Sequence, residues 1–503
     1  MVQKVLPKMT HSQQQPQKED VFSKLIGDFG RWQLLVFCTV FLIKLPTGWV
    51  QMAIVFLTPR PVFWCVQFAN SSAIGANSTC YDDCLRYDYD TSPMESTVVS
   101  EWGLICDRAW LASFTQTILQ LGVLVGSVIF GFLADRYGRK HTFLLAVVSL
   151  ICLGLGVPFS PDYVTFTVLR FFLGVATAGT MVVSFVIVME AIGPRYRELF
   201  GCFFHLPFIM GHLLVPLVAF YWRSWDSFLL VLGVSNVLFL GYFFVLVESP
   251  RWLLSVHRVE EAANIVTTAA NMNKLPTVNI HETLSKLALD SRTVDQPRLN
   301  YWALLRPELR VRTACSVVLW LVTGHTYFGF NQYIGQTSPD PFLSVAVTAL
   351  VQVPANFLAI WMVRQLGRKI TAMSSLLICG ASIVALGVVP QLAWLTQTLA
   401  AIGNGFASVA ATCIYIYSSE LFPTVVRNMG VGVSSTAMRV GSMIAPFVAS
   451  LSSTAYWLPT AIFGVTPILA GLVVVLLPET KGRKLPDSIE EVREEKDMKQ
   501  VMK

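Results

Sequence analysis

The sequence predicts an all-α membrane protein with twelve transmembrane helices arranged as two six-helix halves. Three observations predict it. Hydrophobic residues make up 54% of the 503 and charged residues only 14%, with a mean hydropathy of +0.58. That leaves too little charge to cover a water-facing surface of this size. Apolar stretches of about 20 residues, enough to cross roughly 30 Å of hydrocarbon, recur along the chain. Charged landmarks also repeat between the two halves at a nearly constant offset.

Residues 1–31 are polar, with Gln13, Gln14, Gln15 and Pro16 in an expected cytoplasmic tail. No secretory signal precedes the first span, which then acts as its own insertion signal. Six spans, near 32–57, 110–134, 141–160, 163–189, 199–221 and 227–247, make a first half over 32–250. A cytoplasmic linker of mixed charge follows over 251–311. Spans near 312–333, 342–363, 370–389, 392–418, 430–452 and 457–478 make the second half over 312–478, and 479–503 is a cytoplasmic tail. Many spans carry Gly, Ala, Ser or Pro, which let helix backbones approach closely in lipid.

The connection 58–109 holds Cys65, Cys80, Cys84 and Cys106 and two glycosylation sequons, at Asn70 and Asn77. This combination reads as an extracellular, oxidised loop. Four cysteines allow three pairings, and the spacing does not choose between them. The other six cysteines fall in apolar spans and read as packing residues. The loop after span two carries Arg136, Arg139 and Lys140, and the one after span eight carries Arg364, Arg368 and Lys369. Positive charge favours the cytoplasmic side, so both termini are expected inside and the cysteine-rich loop outside.

Gly138-Arg139-Lys140 recurs as Gly367-Arg368-Lys369 at an offset of 229. Glu190, Pro194 and Arg197 recur as Glu420, Pro423 and Arg427 at an offset of 230 between the acids, and Glu248-Ser249 recurs as Glu479-Thr480 at 231. Two parallel six-helix halves result, an architecture that secondary transporters use with the substrate between the halves at mid-membrane. Asp135 beside Arg136, and Glu190 near Arg197, are expected to pair across helix ends when the inner side is closed. Asp135, Arg136, Arg139, Glu190, Arg197, Glu420 and Arg427 are therefore gating candidates. The blander reading is that these charges only set topology.

The stretch Gly126 to Lys140 (GSVIFGFLADRYGRK) resembles the signature of the major facilitator superfamily. Four further segments resemble its organic cation, anion and zwitterion transporter family, the solute carrier 22 type. They are Gly27 to Gln33 (GDFGRWQ), Ser100 to Asp107 (SEWGLICD), Val247 to Leu254 (VESPRWLL) and Glu420 to Gly430 (ELFPTVVRNMG), with Pro478 to Gly482 (PETKG) closing the second half. The resemblance covers nearly the whole chain and implies the major facilitator fold and transport of small organic ions. One departure is Arg364, which stands where the first half has Asp135.

Charge inside a span is costly, ~2.5–3.5 kcal/mol at mid-bilayer on insertion scales, and marks a candidate site. Arg439 lies in the middle of span eleven and Lys44 halfway along span one, while no carboxylate lies deep in a span. Cation carriers of the resembled family typically place Asp where Arg439 stands and Glu where Gln352 stands, and anion carriers place Arg at the former. Anion carriers often have a basic residue near Asn356, which this chain lacks. A fixed guanidinium attracts a carboxylate or sulfate bidentately and repels cations, so an organic anion is the first expectation. Tyr327, Phe328, Tyr415 and Tyr417 stand where the resemblance places pocket aromatics. Gln332, Asn331 and Asn356 would add neutral hydrogen bonds, and Gln352 is a further binding candidate. Internal pairing of Arg439, snorkelling of Lys44 and aromatic packing are the structural alternatives. His205, His212 and His325 read as packed residues, with proton coupling as the sharper alternative.

No phosphate-binding glycine loop, Cys/His metal spacing or paired acids within a span occurs, so neither an enzyme, a cofactor nor a metal is expected. The absent P-loop also argues against an ATP-driven pump. Two rivals stay open: an organic cation or zwitterion carrier of the same family, and a non-transporting receptor on the same scaffold. The expected setting is the plasma membrane, with the bilayer and a small organic ion as partners, no nucleic acid, and a monomeric chain.

Overall fold

The computed structural model describes residues 21–69, 75–293, 300–338, 340–390, 392–423, 425–453, 455, 457–482 and 489–493. Asn70 and most of both expected tails lie outside the described residues. Among those described, twelve long helices form the bundle. They are α1 Arg31–Leu57, α2 Trp110–Tyr137, α3 Arg139–Phe159, α4 Tyr163–Ala191, α5 Pro194–Tyr221 and α6 Trp225–Val245. The second set is α7 Arg310–Thr337, α8 Pro341–Gln365, α9 Arg368–Val388, α10 Ala393–Leu421, α11 Arg427–Ser450 and α12 Leu458–Leu476. Several run a turn beyond their apolar stretch, because Asp135, Arg136 and Glu190 end hydropathy without ending helix. The remaining two of the twelve, α7 and α11, are less apolar than the other ten. They face the interior of the bundle, where their Ser, Thr, His, Asn and Gln side chains are buried.

Two helix breaks flank the central cavity, and proline explains both. In α1 the helix breaks at Leu42–Ile43, where Pro46 has no N–H to give Leu42. In α5 it breaks at Phe204–His205, one turn before the ring of Pro207. The breaks lie at similar depth, and α1 packs on α5. Within the first half, α2 packs on α4 and α3 on α6. The second half repeats the scheme, α7 on α11, α8 on α10 and α9 on α12. Contacts between the halves run along α2 with α11 and α5 with α8.

The α1–α2 connection folds as an antiparallel hairpin, β1 Phe63–Phe68 with β2 Cys84–Tyr89. Its four cysteines are joined as Cys65–Cys84 and Cys80–Cys106, one of the three pairings the spacing allowed. Asn77 is exposed between the strands. Of the remaining cysteines, Cys315, Cys379 and Cys413 are buried. Cys38 and Cys152 are exposed, which corrects the packing role expected of them, because their helix faces point out of the bundle.

At the opposite end, the linker is helical at Pro250–Ser255, Val259–Met272 and Ile280–Thr293. Asn273 ties it to the start of α1, accepting from Trp32 N at 3.0 Å and donating to Gln33 Oε1 at 2.8 Å.

At the hairpin end the halves touch directly. Thr117 Oγ1 donates to Met443 O at 2.8 Å and Ser113 Oγ to Pro446 O at 3.1 Å. Gln336 Nε2 donates to Thr58 O at 2.7 Å, and Arg60 reaches Ala449 O at 2.6 Å and the Ser452 hydroxyl. Phe342 of α8 stacks on Phe56 of α1 with ring centroids 5.2 Å apart.

Candidate functional site

The two helix breaks frame a cavity of about 260 Å³ between the halves. The break in α1 presents Lys44 to it and the break in α5 presents His205. The second half contributes Trp320, Tyr327 and Phe328 from α7, Asn356 from α8, Tyr415 from α10 and Arg439 from α11. Among the described residues, no Asp or Glu belongs to the wall. Lys44 Nζ lies 5.0 Å from the centre of the Phe204 ring. Among the described residues, neither Lys44 Nζ nor the Arg439 guanidinium has a hydrogen-bond or ion-pair partner. Two cations from opposite halves thus face one space with no carboxylate among the described residues to neutralise them.

Rings supply the rest of the wall. Trp320 and Tyr415 lie 4.6 Å apart, Tyr415 and His205 6.2 Å, and Tyr327 meets Phe328 edge-on at 5.2 Å. Tyr415 is 39% exposed, so its ring is presented to the cavity rather than packed away. Tyr327 is braced from behind: its hydroxyl donates to Gln352 Oε1 at 2.6 Å, and Gln352 meets His212 Nδ1 at 3.4 Å. Asn356 Oδ1 accepts from Thr412 Oγ1 at 3.4 Å. The rings offer apolar area with polar handles, as sites for organic solutes do.

Three expected wall residues are placed elsewhere. Tyr417 is fully buried and its hydroxyl donates to Pro478 O at 2.7 Å. Two residues along a helix turn a side chain by about 200°, so it faces away from Tyr415's cavity. Gln352 stands behind Tyr327 rather than in the wall. Gln332 lines a separate, smaller space with Gln51 and Phe328. Sequence reasoning missed Trp320, Gln51 and Met438, which do line the cavity. It also missed Arg170, a further intramembrane cation, which is 2% exposed. A ring amid an apolar span carries no sequence mark of function, but Arg170 was visible as a charge within span four.

The charged landmarks meet at the linker end, each set inside its own half. Arg139 pairs with Asp135 and with Glu190, both at 2.9 Å. Arg368 pairs with Glu420 at 2.8 Å. The expected pair of Glu190 with Arg197 is corrected: Glu190 reaches across to Arg139, which opens the third helix of its half, as Glu420 reaches Arg368 in the second. Arg197 Nε instead donates to Ile192 O at 3.1 Å, and Arg427 is the first residue of α11. The pairing of Asp135 with its neighbour Arg136 is also corrected. One helix position separates them too widely in angle, whereas Arg139 lies four positions on. Arg136 lies over the Tyr137 ring at 5.6 Å.

The repeated glutamates cap helices. Glu248 Oε1 accepts from the backbone N–H of Arg139 at 2.9 Å and of Lys140 at 3.1 Å. Glu479 accepts likewise from Arg368 and Lys369, both at 3.0 Å. Gly138 and Gly367, at φ +101° and +91°, turn the chain so that these donors face the acid, a conformation side chains disfavour. Partial burial acts to raise the Glu479 carboxyl, but the backbone donors of Lys481, Arg368, Lys369 and Thr480 outweigh it and hold the group below its ordinary 4.5.

The profile of the sugar (and other) transporter family matches residues 65–492. Human solute carrier family 22 member 12 is 34% identical over 86% of this chain and 79% of its own length. The Drosophila melanogaster organic cation transporter protein is 30% identical over 94% of both chains. Human organic cation/carnitine transporter 2 is 31% identical over 95% of both. Among solved structures, the inward open conformation of the xylose transporter XylE from E. coli superposes with a TM-score of 0.65 at 18% identity, covering 92% of this chain and 98% of that one. That likeness shows the fold.

Proposed function

The chain belongs to the sugar (and other) transporter family of the major facilitator superfamily and, within it, to the organic cation, anion and zwitterion transporters of solute carrier family 22, and on that premise we propose that it carries small organic anions across the plasma membrane by alternating access. It is a multi-pass membrane transporter and not an enzyme. The choice of an anion rests on one observation: Lys44 and Arg439 face the same cavity, unpartnered, and no carboxylate shares it. A carboxylate or sulfate entering between them supplies the missing counter-charge, with a bidentate contact from Arg439. Its organic body lies against Trp320, Tyr327, Phe328 and Tyr415, with Asn356 as a neutral hydrogen-bonding group.

The hairpin end is extracellular in this reading. Its disulfides and exposed sequon at Asn77 support that side, and the basic loops at Arg136–Lys140 and Arg364–Lys369 support a cytoplasmic opposite end. The contacts at the hairpin end then close the outer side, and the cavity belongs to an inward-facing state. The clusters at Arg139 and Arg368 keep the helix ends of each half together so that the halves rock as units.

A zwitterion is the second reading. The Trp320–Tyr415 pair beside Arg439 offers a cation–π surface for an amine while the guanidinium holds a carboxylate.

Uptake by cells expressing the wild type, Arg439→Gln or Lys44→Gln tests both, with one labelled organic anion, one cation and one zwitterion. Anion transport is expected in the wild type, and each substitution is expected to raise KM about tenfold or more, the scale of a charge-assisted hydrogen bond. Cation uptake that neither substitution alters would overturn the anion reading and leave the family assignment intact.

A further inference from the structure

A second, small cavity of about 30 Å³ lies inside the first half among α1, α3, α4 and α6, apart from the central one. Its wall is mostly aliphatic, yet three polar side chains reach it: Arg170 of α4, Trp49 of α1 and Asn236 of α6. Arg170 is 2% exposed, and its Nε and Nη1 have no hydrogen-bond partner. Its Nη2 donates to Gln116 Oε1 at 2.7 Å, and its guanidinium carbon lies 5.6 Å from the Phe166 ring centre. Trp49 Nε1 is buried and unpartnered, and so is Asn236 Oδ1. Among the described residues no carboxylate forms an ion pair with Arg170.

Three unmet polar groups on one space ask for an occupant. An arginine does not shed its proton in a protein, and a buried charge is strongly disfavoured without a partner. A water molecule would meet the N–H groups but leave the charge uncompensated. The space exceeds the ~10–15 Å³ that one water requires, while its aliphatic wall would strand the extra oxygens of a carboxylate or sulfate. The Asn236 amide presents a donor or an acceptor by a half-turn of its plane. We infer that this cavity is a built-in site for a monatomic anion of chloride size, held by Arg170, Trp49 and Asn236. Gln116, which Arg170 engages, also donates from Nε2 to Gln51 O at 3.2 Å, and Gln51 lines the central cavity, so the occupant sits one hydrogen-bonded chain away from the substrate.

The test is thermal unfolding of the purified full-length protein, prepared in gluconate without organic substrate and titrated with chloride at constant ionic strength. Chloride at ten times its half-saturating concentration shifts the folding equilibrium about elevenfold, read as a rise of roughly 1–3 °C. Bromide is expected to act like chloride, and sulfate is not. Arg439→Gln keeps the rise and Arg170→Gln loses it. Trp49→Phe keeps the guanidinium but removes one donor, and raises the half-saturating chloride about threefold or more; it serves equally if Arg170→Gln does not fold. A wild type indifferent to chloride overturns the inference, the cavity then holding water. A rise lost in Arg439→Gln but unchanged in Trp49→Phe also overturns it, by placing the anion in the central cavity.

Discussion

Arg439 and Tyr417 show how little a residue's identity says until its helix face is known. Both are polar side chains on second-half helices, Arg439 midway along α11 and Tyr417 near the end of α10. The guanidinium faces an open cavity with no partner, while the phenol is spent on the backbone of Pro478. Tyr417→Phe removes one hydrogen bond from the half-buried Pro478 carbonyl and nothing from the cavity. It is expected to lower stability by about 1 kcal/mol and to leave the KM for substrate unchanged. Unfolding midpoints and uptake kinetics on the same preparation decide it. A raised KM at unchanged stability would return Tyr417 to the binding wall.

At the scale of elements, the acid after the sixth helix of each half caps the third. Glu479 binds the first N–H groups of α9, where a negative charge also meets the positive end of the helix dipole. Glu479→Gln keeps the shape and loses the charge, and is expected to cost about 1 kcal/mol at neutral pH. The sign of the pH dependence follows from the carboxyl being held below 4.5 in the folded protein. Its contribution is complete above that ordinary value and disappears as pH falls through the lower folded one. Wild type and variant should therefore differ in unfolding midpoint at pH 7 and converge as the pH is lowered through the depressed folded value. A difference that persists at low pH would assign the effect to packing.

On the scale of the whole molecule, alternating access requires the hairpin-end contacts to form and break. Gly335 of α7 is seated against the other half there: a Cβ at this position would lie 2.2 Å from Val55 Cγ1 of α1. Val55 is β-branched and has little rotamer freedom to yield. Gly335→Val is expected to hold the hairpin end open. Uptake should fall about tenfold or more, the effect of roughly 1.4 kcal/mol against closure, while substrate added from the hairpin side still binds. Cell uptake and ligand binding to purified protein separate the two. Unchanged uptake would mean that this contact is not part of the cycle.

The twelve spans, the two halves and the deep cations were legible in the sequence because each rests on local or periodic information. Apolar length reads out a span, the offsets near 230 between Gly138, Glu190 and Glu248 and their second-half counterparts read out a duplication, and Arg439 and Lys44 are conspicuous as charges in apolar helices. Facing and partnership were not legible. Which acid meets Arg139, which cysteine meets Cys65, whether Tyr415 or Tyr417 faces the substrate, and that Trp320 belongs to the cavity depend on rotations about helix axes and on neighbours far along the chain, 19 residues away for Cys65 and 51 for Arg139. Periodicity within one helix fixes an apolar face but not what packs on it. Only the assembled bundle brings Lys44 and Arg439 into one space and leaves both without a counter-charge.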